Sequence, residues 1–464
     1  MMKEDRKKND LTPPVKLGQK VELEITDLAY GGNGVAKYEN FTVFVPLGLP
    51  GQKITASITE VKKNYAMANM NKILAESPHF IKPVCPLFSV CGGCQWLHMD
   101  YAGQIKYKKK FIDYALKTHS GVDNPNLLEA IGYTEPLYYR ERAQYKPGMD
   151  KGVPVLGFYR ANSHDVVKVS ECFILNKKIN EAAAIISSVL EKEKKKVTVY
   201  DENTGSGYLR HVAIRVNSKN EALVTFVVTE NIARDYITEA AEELNKNISG
   251  LKGVVLNINK NKGNRVFGDA EKTVWGENFI YEEFNNIKFV LESDTFFQIN
   301  TGMLKHMAAF VEKHVSKGAK VLDLYGGTGA LSLPLFNKAS EITVVEINPR
   351  SIEQFNKVVQ DNGITNASAV AGDAEKEASA IIKEKKPNVI ILDPPRKGVH
   401  ADVLKSIIEN NTPEIIYISC NPMTFARDAK ELKGHYELVE TVPVDLFPQT
   451  YHVETMGYFK RIKP

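Results

Sequence analysis

Apolar and polar positions change rhythm twice along the chain. Near the N-terminus, "QKVELEITDLAYGGNGVAKYENFTVFVPL" alternates apolar with polar residues, broken by the turn cluster "GGNG" (Gly31–Gly34), and "QKITASITEVKKNYAMANMNKIL" continues in the same style. Period-two alternation is the pattern of half-buried strands. Several such strands within about 60 residues predict a small closed β-barrel over residues 12–76. The middle, residues 77–288, mixes strand patterns ("HVAIRV", "EALVTFVV", "KGVVLNIN") with helical ones (Lys106–Lys117, "NEAAAIISSVLEKEKKK", "ARDYITEAAEELNKN") and reads as an α+β domain. From residue 289 to 464 strand and helix alternate: "KVLDLYGG" then "ALSLPLFNKA", "EITVVEIN" then "PRSIEQFNKVVQDNG", "ASAVAGD" then "AEKEASAIIKEK", "NVIILDPP" then "HADVLKSIIEN", and "EIIYISCNP". That alternation predicts an α/β fold with a doubly wound parallel sheet. The last two segments, "YELVETVPVDLF" and "HVETMGYFKRI", read as an antiparallel closing pair.

Length fits several domains, since 464 residues exceed one ordinary core. At 43% hydrophobic and 25% charged residues the chain has the composition of a soluble globular protein. No apolar run reaches the roughly 20 residues that span a bilayer. The charged start "MMKEDRKKND" lacks a following apolar core, which predicts a disordered tail rather than an export signal, and a cytoplasmic protein. Lys+Arg 60 against Asp+Glu 56 leaves a net charge of only +4, so any nucleic-acid surface must be a local concentration. "KYKKKF" (Lys106–Phe111) and "YYRERAQYKPG" (Tyr138–Gly148) are two such concentrations; on charge alone a solvated face explains them as well.

In a doubly wound sheet, ligands lie at the carboxyl ends of the strands. Three features fall there. Gly326, Gly327 and Gly329 of "DLYGGTG" bring the backbone close to a ligand. Glu346, at the end of the next strand, suits the two hydroxyls of a ribose. Asp373, in "AGDAE", could reach the exocyclic amine of an adenine. NAD and S-adenosylmethionine both contain such a nucleoside. The dinucleotide fingerprint wants Gly or Ala where Ser332 stands, and the acid Asp323 ahead of the glycines repels phosphate but suits a cationic sulfonium with an amino-acid tail. The pattern favours S-adenosylmethionine.

Chemistry sits on the far strands. Asp393 in "ILDPPRKG" ends the fourth strand, and Arg396 stands where amine-methylating enzymes with a "DPPY" loop carry a stacking ring. Cys420 ends the fifth strand. A lone cysteine is ordinarily a small buried hydrophobe, but this one falls at the ligand edge. Glu454 lies in an otherwise apolar last strand, where a carboxylate is costly unless paired or used. A thiolate, a carboxylate and a methyl donor together suit methylation of carbon 5 of a pyrimidine. The thiolate adds to carbon 6, carbon 5 becomes nucleophilic, and a base later removes the carbon 5 proton. Cys420 and Glu454 would fill those roles.

The remaining cysteines are Cys85, Cys91 and Cys94, the last two separated by two glycines, and Cys172 in "SECFIL". Four thiolates suit zinc or an iron–sulfur cluster, and unliganded core cysteines are the third reading.

"FFQIN" (Phe296–Asn300), "DLYGGTG", "LDPPRKG", "YISCNPMTFARD" and "HVETM" occur in the order found in RNA 5-methyluridine methyltransferases of the RumA/TrmA type, which the chain resembles over nearly its whole length. The N-terminal barrel resembles a TRAM domain. The resemblance implies a class I methyltransferase sheet, Cys420 as nucleophile, Glu454 as base, and Gln298, Tyr325, Glu346, Asp373 and Asp393 around S-adenosylmethionine and the uracil. It makes Arg140 and Arg142 of "YYRERAQYK" candidate RNA contacts. It further implies a [4Fe-4S] cluster on Cys85, Cys91, Cys94 and Cys172, with zinc as the alternative, and 23S rRNA as the substrate, because TrmA-type tRNA enzymes lack the barrel and the cysteine set. No DNA, membrane or obligatory protein partner is implied. The rival expectations are a tRNA uridine methyltransferase, an iron–sulfur RNA-binding protein without catalysis, and an NAD-dependent reductase.

Overall fold

The computed structural model describes residues 13–122 and 125–462; the charged N-terminal stretch and residue 12 of the expected barrel lie outside them. The chain divides into two compact units. The first takes in the described residues up to Ser89, Cys94–Tyr107 and Gln449–Tyr451; the second takes in Val90–Gly93, Lys108–Pro448 and His452 onward.

In the first unit, β1 (Lys20–Leu28), β2 (Gly34–Tyr38), β3 (Phe41–Val45), β4 (Lys53–Val61) and β5 (Tyr65–Ala75) form a closed barrel in the order β1-β2-β3-β5-β4. The alternation read in the sequence is the reason it closes. Along β1, Val21, Leu23 and Ile25 face the barrel core while their neighbours face out. Gly34 has to be glycine here, because a Cβ would lie 2.8 Å from the Gly48 carbonyl oxygen. Helix α1 (Tyr101–Ala115) begins in this unit and belongs from Lys108 onward to the second, ending in a π-turn at Leu116–Ser120.

The second unit opens with a seven-stranded mixed sheet. Its strands are β6 (Arg142–Asp150), β7 (Val153–Tyr159), β8 (Val166–Lys168), β9 (Leu209–Val216), β10 (Ala222–Val228), β11 (Leu251–Ile258) and β12 (Ala270–Gly276), in the order β12-β11-β10-β9-β6-β7-β8. Helices α2 (Lys177–Lys192) and α3 (Asp235–Asn247) share one core with it. Every residue of β10, "ALVTFVV", is buried, the run expected of a strand covered on both faces. Leu223 and Val255 pack in a second core with the ribbon β13 (Phe279–Phe284) and β14 (Ile287–Glu292), helix α4 (Thr301–His314) and the last sheet. The boundary expected at residue 288 therefore cuts through β14. A core shared by both sheets is why no compact unit ends there.

The last sheet comprises β15 (Lys320–Leu324), β16 (Glu341–Glu346), β17 (Ala367–Ala371), β18 (Val389–Leu392), β19 (Glu414–Ser419), β20 (Tyr436–Val444) and β21 (Glu454–Arg461), in the order β17-β16-β15-β18-β19-β21-β20. Strands β15 to β19 are parallel, while β21 runs antiparallel to β19 and β20. Helices α5 (Pro349–Asp361), α6 (Ala374–Lys385) and α7 (Ala401–Glu409) are those read in the sequence, and α8 (Pro422–Leu432), not read there, follows the strand that ends at Cys420. "ALSLPLFNKA" is a correction: it makes only a single 3₁₀ turn, Leu333–Leu335, since Pro334 lacks the amide a longer helix needs. Among the described residues no helix is long and apolar enough to cross a membrane.

Candidate active site

The register of the last sheet gathers the expected residues at one edge. Leu324 pairs with Val345 and with Leu392, so Tyr325, Glu346 and Asp393 leave their strands side by side. Glu346 pairs with Ala371, two residues before Asp373. Ser419 pairs with Thr455 in the antiparallel ladder, so Cys420 stands opposite Glu454. Reversal of β21 is what makes this possible: its first residue lies at the edge where the parallel strands end.

The glycine loop is built around a buried acid. Asp323 accepts a 2.5 Å hydrogen bond from Ser332 through one oxygen, while its other oxygen is buried with no hydrogen-bond partner. Burial pushes its carboxyl up to about 7. A Cβ on Gly326 would lie 2.7 Å from that carboxyl. Ser332, the residue that breaks the dinucleotide fingerprint, is thus the hydroxyl that holds Asp323. Tyr325 adopts φ 68°, a conformation rare for a bulky residue and characteristic of functional turns. Glu346 accepts the amides of Gly327 at 3.0 Å and Asn348 at 2.8 Å. Asp373 caps α6 through the amide of Glu375. Ile347, next after Glu346, is 67% exposed; sequence reading passed over this apolar side chain, which can face a planar base. Narrow glycine turns, a ribose-ready acid and an open apolar flank fit a nucleoside methyl donor.

Cys420 ends a strand that turns into a helix. Pro422 is the first residue of α8, where its missing amide is harmless. Asn421 caps α8 by accepting the amide of Met423 at 3.1 Å and donates to the Arg396 carbonyl at 3.2 Å. Arg427 donates to the Lys397 carbonyl, and buried Asp428 accepts the amide of Val399 and the hydroxyl of Tyr417. These bonds hold the "DPPRKG" loop against α8, which brings Arg396 to the thiol. The half-buried thiol is pushed up to about 11 by burial and by the charges of Glu454 and Asp393, with Arg396 opposing. Burial and Asp393 raise Glu454 to about 8, again with Arg396 opposing. Burial raises Asp393 to about 7. His452 lies 3.5 Å from Arg396 and is lowered to about 4 by burial, Arg396 and Lys108. Arg396, read in the sequence only as a missing ring, is the cation that opposes the raised values of both Glu454 and the thiol.

Gln298 lies on the turn between β14 and α4 and lines a small cavity with Glu141, Arg142, Arg215 and Glu282. Its neighbour Asn300 caps α4 and donates to the Leu446 carbonyl, tying the turn to the segment that leads to Glu454.

Parts of the two basic stretches turn inward, while Lys106 and Lys110 are exposed. Lys108 is buried and pairs with buried Asp445 at 2.5 Å, also donating to the Phe447 carbonyl. Lys146 is buried against Glu202 at 2.6 Å. Arg142 donates to the carbonyls of Thr295 and Ser293, at 3.0 and 2.7 Å, and burial lowers its guanidinium to about 10. Half-buried Arg140 donates its Nε to the Arg142 carbonyl at 3.0 Å. Cys85, Cys91, Cys94 and Cys172 are half-buried and form no disulfide. Among the described residues no group of three or more His, Cys, Asp or Glu is arranged to hold a metal ion.

A family model for tRNA (uracil-5-)-methyltransferases matches residues 100–462, and a TRAM domain model matches residues 14–70. An RNA methyltransferase of Clostridium acetobutylicum, described as uncharacterized, is 35% identical over 455 residues, covering 97% of this chain and 98% of its own. Another, from Halalkalibacterium halodurans, is 34% identical over 96% of this chain and 97% of its own. The crystal structure of Pyrococcus abyssi tRNA (uracil-54, C5)-methyltransferase in complex with S-adenosyl-L-homocysteine superposes with a TM-score of 0.76 at 25% identity, covering 95% of this chain and all of that one.

Proposed function

The chain belongs to the tRNA (uracil-5-)-methyltransferase family, and from that premise we propose that it methylates carbon 5 of a uridine in RNA by covalent catalysis through Cys420. The observation that carries this reading is the register that sets Cys420 opposite Glu454 at the carboxyl edge of the sheet, with Asp393 and Arg396 acting on both.

Bound S-adenosylmethionine supplies an electrophilic methyl group. Gln298, Tyr325, Glu346, Asp373, Asp393 and the Gly326–Gly329 turn would hold it. The target base must leave any stack to reach the thiol. Cys420 sulfur bonds to carbon 6, and the ring electrons move onto the carbon 4 carbonyl. Carbon 5 then takes the methyl group, with S-adenosylhomocysteine as the other product. Glu454 removes the carbon 5 proton, the ring electrons return, the carbon–sulfur bond breaks, and Cys420 leaves as thiolate. Burial and repulsion between Asp393 and Glu454 keep the pair partly protonated near neutral pH. The pair takes the thiol proton first and, once that has passed to solvent, the carbon 5 proton. Arg396 lowers the cost of both anions. Arg140 is the residue of "YYRER" whose guanidinium remains for an RNA phosphate.

We assign 23S rRNA as the substrate, supported by the cysteine set. Transfer RNA is the second reading, favoured by the Pyrococcus abyssi enzyme: at 95% coverage that likeness extends through the barrel, so the barrel does not separate the two. Cys85, Cys91, Cys94 and Cys172 are proposed to take up a [4Fe-4S] cluster, supported by the resemblance to RumA-type enzymes, with zinc as the alternative; no step of the methylation uses it. Iron and sulfide in anaerobically purified protein are the expected result, and zinc alone or no metal would overturn it. For the reaction itself, the enzyme is incubated with tritiated S-adenosylmethionine and unmodified 23S rRNA or tRNA, and the labelled nucleoside is mapped. Label at uridine carbon 5 in rRNA is expected. Label in tRNA alone selects the second reading, and no label at carbon 5 in either rejects the function.

A further inference from the structure

The loop that joins β11 to β12 is exposed at its tip and fixed from beneath. Every residue from Lys260 to Arg265 is exposed. Two fully buried asparagines hold the base of the loop. Asn259 donates to the carbonyls of Arg265 and Val266, at 2.7 and 2.9 Å, and accepts the amide of Asn261 at 3.0 Å. Asn257 accepts the amide of Gly268 at 2.7 Å and donates to its carbonyl at 3.2 Å. Buried Arg210 donates to the carbonyls of Asn259 and Asn261, at 3.2 and 2.7 Å, with its guanidinium 4.1 Å from the centre of the Tyr200 ring. Buried polar groups are costly unless bonded, and here their bonds fix the shape of a surface loop. That loop displays positive charge: Lys260, Lys262 and Arg265. Arg265 pairs with Asp269 at 2.5 Å, while among the described residues neither lysine pairs with a carboxylate. The acids of the adjoining turn are engaged elsewhere. Asp201 accepts the amides of Asn203 and Thr204, and Glu202 pairs with Lys146.

Two contacts place the loop beside the carboxyl edge of the last sheet. Phe267, two residues past Arg265, has its ring centre 5.2 Å from the Arg142 guanidinium, and Arg142 donates to the carbonyls of Ser293 and Thr295 on the turn into "FFQIN". Glu271, in the first turn of chain beyond the loop, lies 3.3 Å from Arg350, and Arg350 opens α5, the helix that follows Glu346. A uridine drawn into that edge brings the phosphates of its neighbours to the surface around it. Two lysines on a fixed loop can meet those phosphates with little loss of conformational freedom.

We propose that the Lys260–Arg265 loop is a preformed clamp for the RNA backbone, in which Lys260 and Lys262 bind phosphates beside the target uridine of 23S rRNA; this rests on the function proposed above. Contacts of this kind set the position of the strand and carry no sequence preference. Unmodified 23S rRNA transcript is titrated by fluorescence anisotropy across a salt series, with a tRNA transcript in parallel. At ~0.7 of salt slope per phosphate of a single strand, loss of two contacts should lower the slope by ~1.4 and weaken rRNA binding about 25-fold near 0.1 M salt. The pair Lys260→Gln/Lys262→Gln should show both effects, with S-adenosylhomocysteine binding unchanged and thermal melting as in wild type. Its KM for rRNA should rise while kcat at saturating rRNA stays within about 2-fold. Lys260→Arg/Lys262→Arg should keep the affinity. Lys194→Gln/Lys195→Gln, at exposed lysines just beyond α2, removes the same charge elsewhere and should bind rRNA as wild type does. An unchanged affinity and salt slope in the loop variant, an equal loss in the α2 variant, or a loss with tRNA alone overturns the proposal. If the wild type methylates uridine and the loop variant binds normally, the clamp alone falls. If the loop variant loses rRNA as expected and the wild type transfers no methyl group to uridine, the function falls and the phosphate contact stands.

Discussion

Replacing Glu454 by Gln separates the thermodynamic cost of a buried base from its catalytic use. Glu454 is 5% exposed, and its carboxyl is pushed from the ordinary 4.5 up to about 8 by burial and by Asp393. Between those values the folded protein keeps a proton that the unfolded chain releases. The folded state therefore binds more protons, and wild-type stability falls as pH rises through that window. At ~1.4 kcal/mol per pH unit, the gap sets a ceiling of ~5 kcal/mol for the loss. Glutamine has the same shape and no such proton. Urea denaturation of the two proteins from about pH 5 to about pH 9 should therefore show Glu454→Gln gaining on wild type by several kcal/mol as the pH rises, while turnover falls by roughly 10²- to 10⁴-fold. Because the carbon 5 proton then stays in place, the methylated adduct on Cys420 should accumulate and survive denaturing gels. Stability curves that run parallel across the pH range, or full turnover in the variant, would show that Glu454 is neither a protonated buried acid nor the base.

Gly326→Ala should weaken S-adenosylhomocysteine binding at least about 10-fold by calorimetry, because its methyl would collide with the Asp323 carboxyl. Arg396→Leu removes the cation that opposes two acids at the thiol, so the pKa values of Cys420 and Glu454 rise further; the pH–rate profile should move to higher pH with a lower maximum. Lys108→Met strands buried Asp445 and should cost about 3–5 kcal/mol in urea denaturation, with Asp445→Leu added back recovering much of it.

How far the sequence reaches is visible at particular residues. The proposed catalytic edge was legible because strand–helix alternation fixes where strands end, and Cys420, Asp393, Glu346 and Asp373 all stand at or just beyond such ends. Glu454 required the antiparallel reading of the last strand, which the pair "YELVETVPVDLF" and "HVETMGYFKRI" supported. The direction of charged side chains was harder. Lys108 looked like part of a basic patch, yet it lies on the buried stripe of α1 with Gln104, Phe111, Ile112 and Ala115; that helical spacing was the available signal. Arg142 and Arg215 carry no comparable mark, because their partners are backbone carbonyls about 150 and 80 residues away, contacts that only the tertiary fold creates. The single turn at Leu333–Leu335 was signalled by Pro334, whereas the expected helix followed the apolar spacing instead. The change in rhythm at residue 288 marks a change of topology, while the core runs on beneath it.

The most direct test of the central claim is a covalent trap. RNA carrying 5-fluorouridine at the methylated position, incubated with the enzyme and S-adenosylmethionine, should yield a denaturation-resistant complex, because fluorine at carbon 5 cannot leave as a proton does. Proteolysis and mass spectrometry should place the nucleotide on the peptide containing Cys420, and Cys420→Ala should form no complex. A trapped complex that persists in Cys420→Ala, or an adduct on another residue, would contradict the assignment of this thiol as the nucleophile.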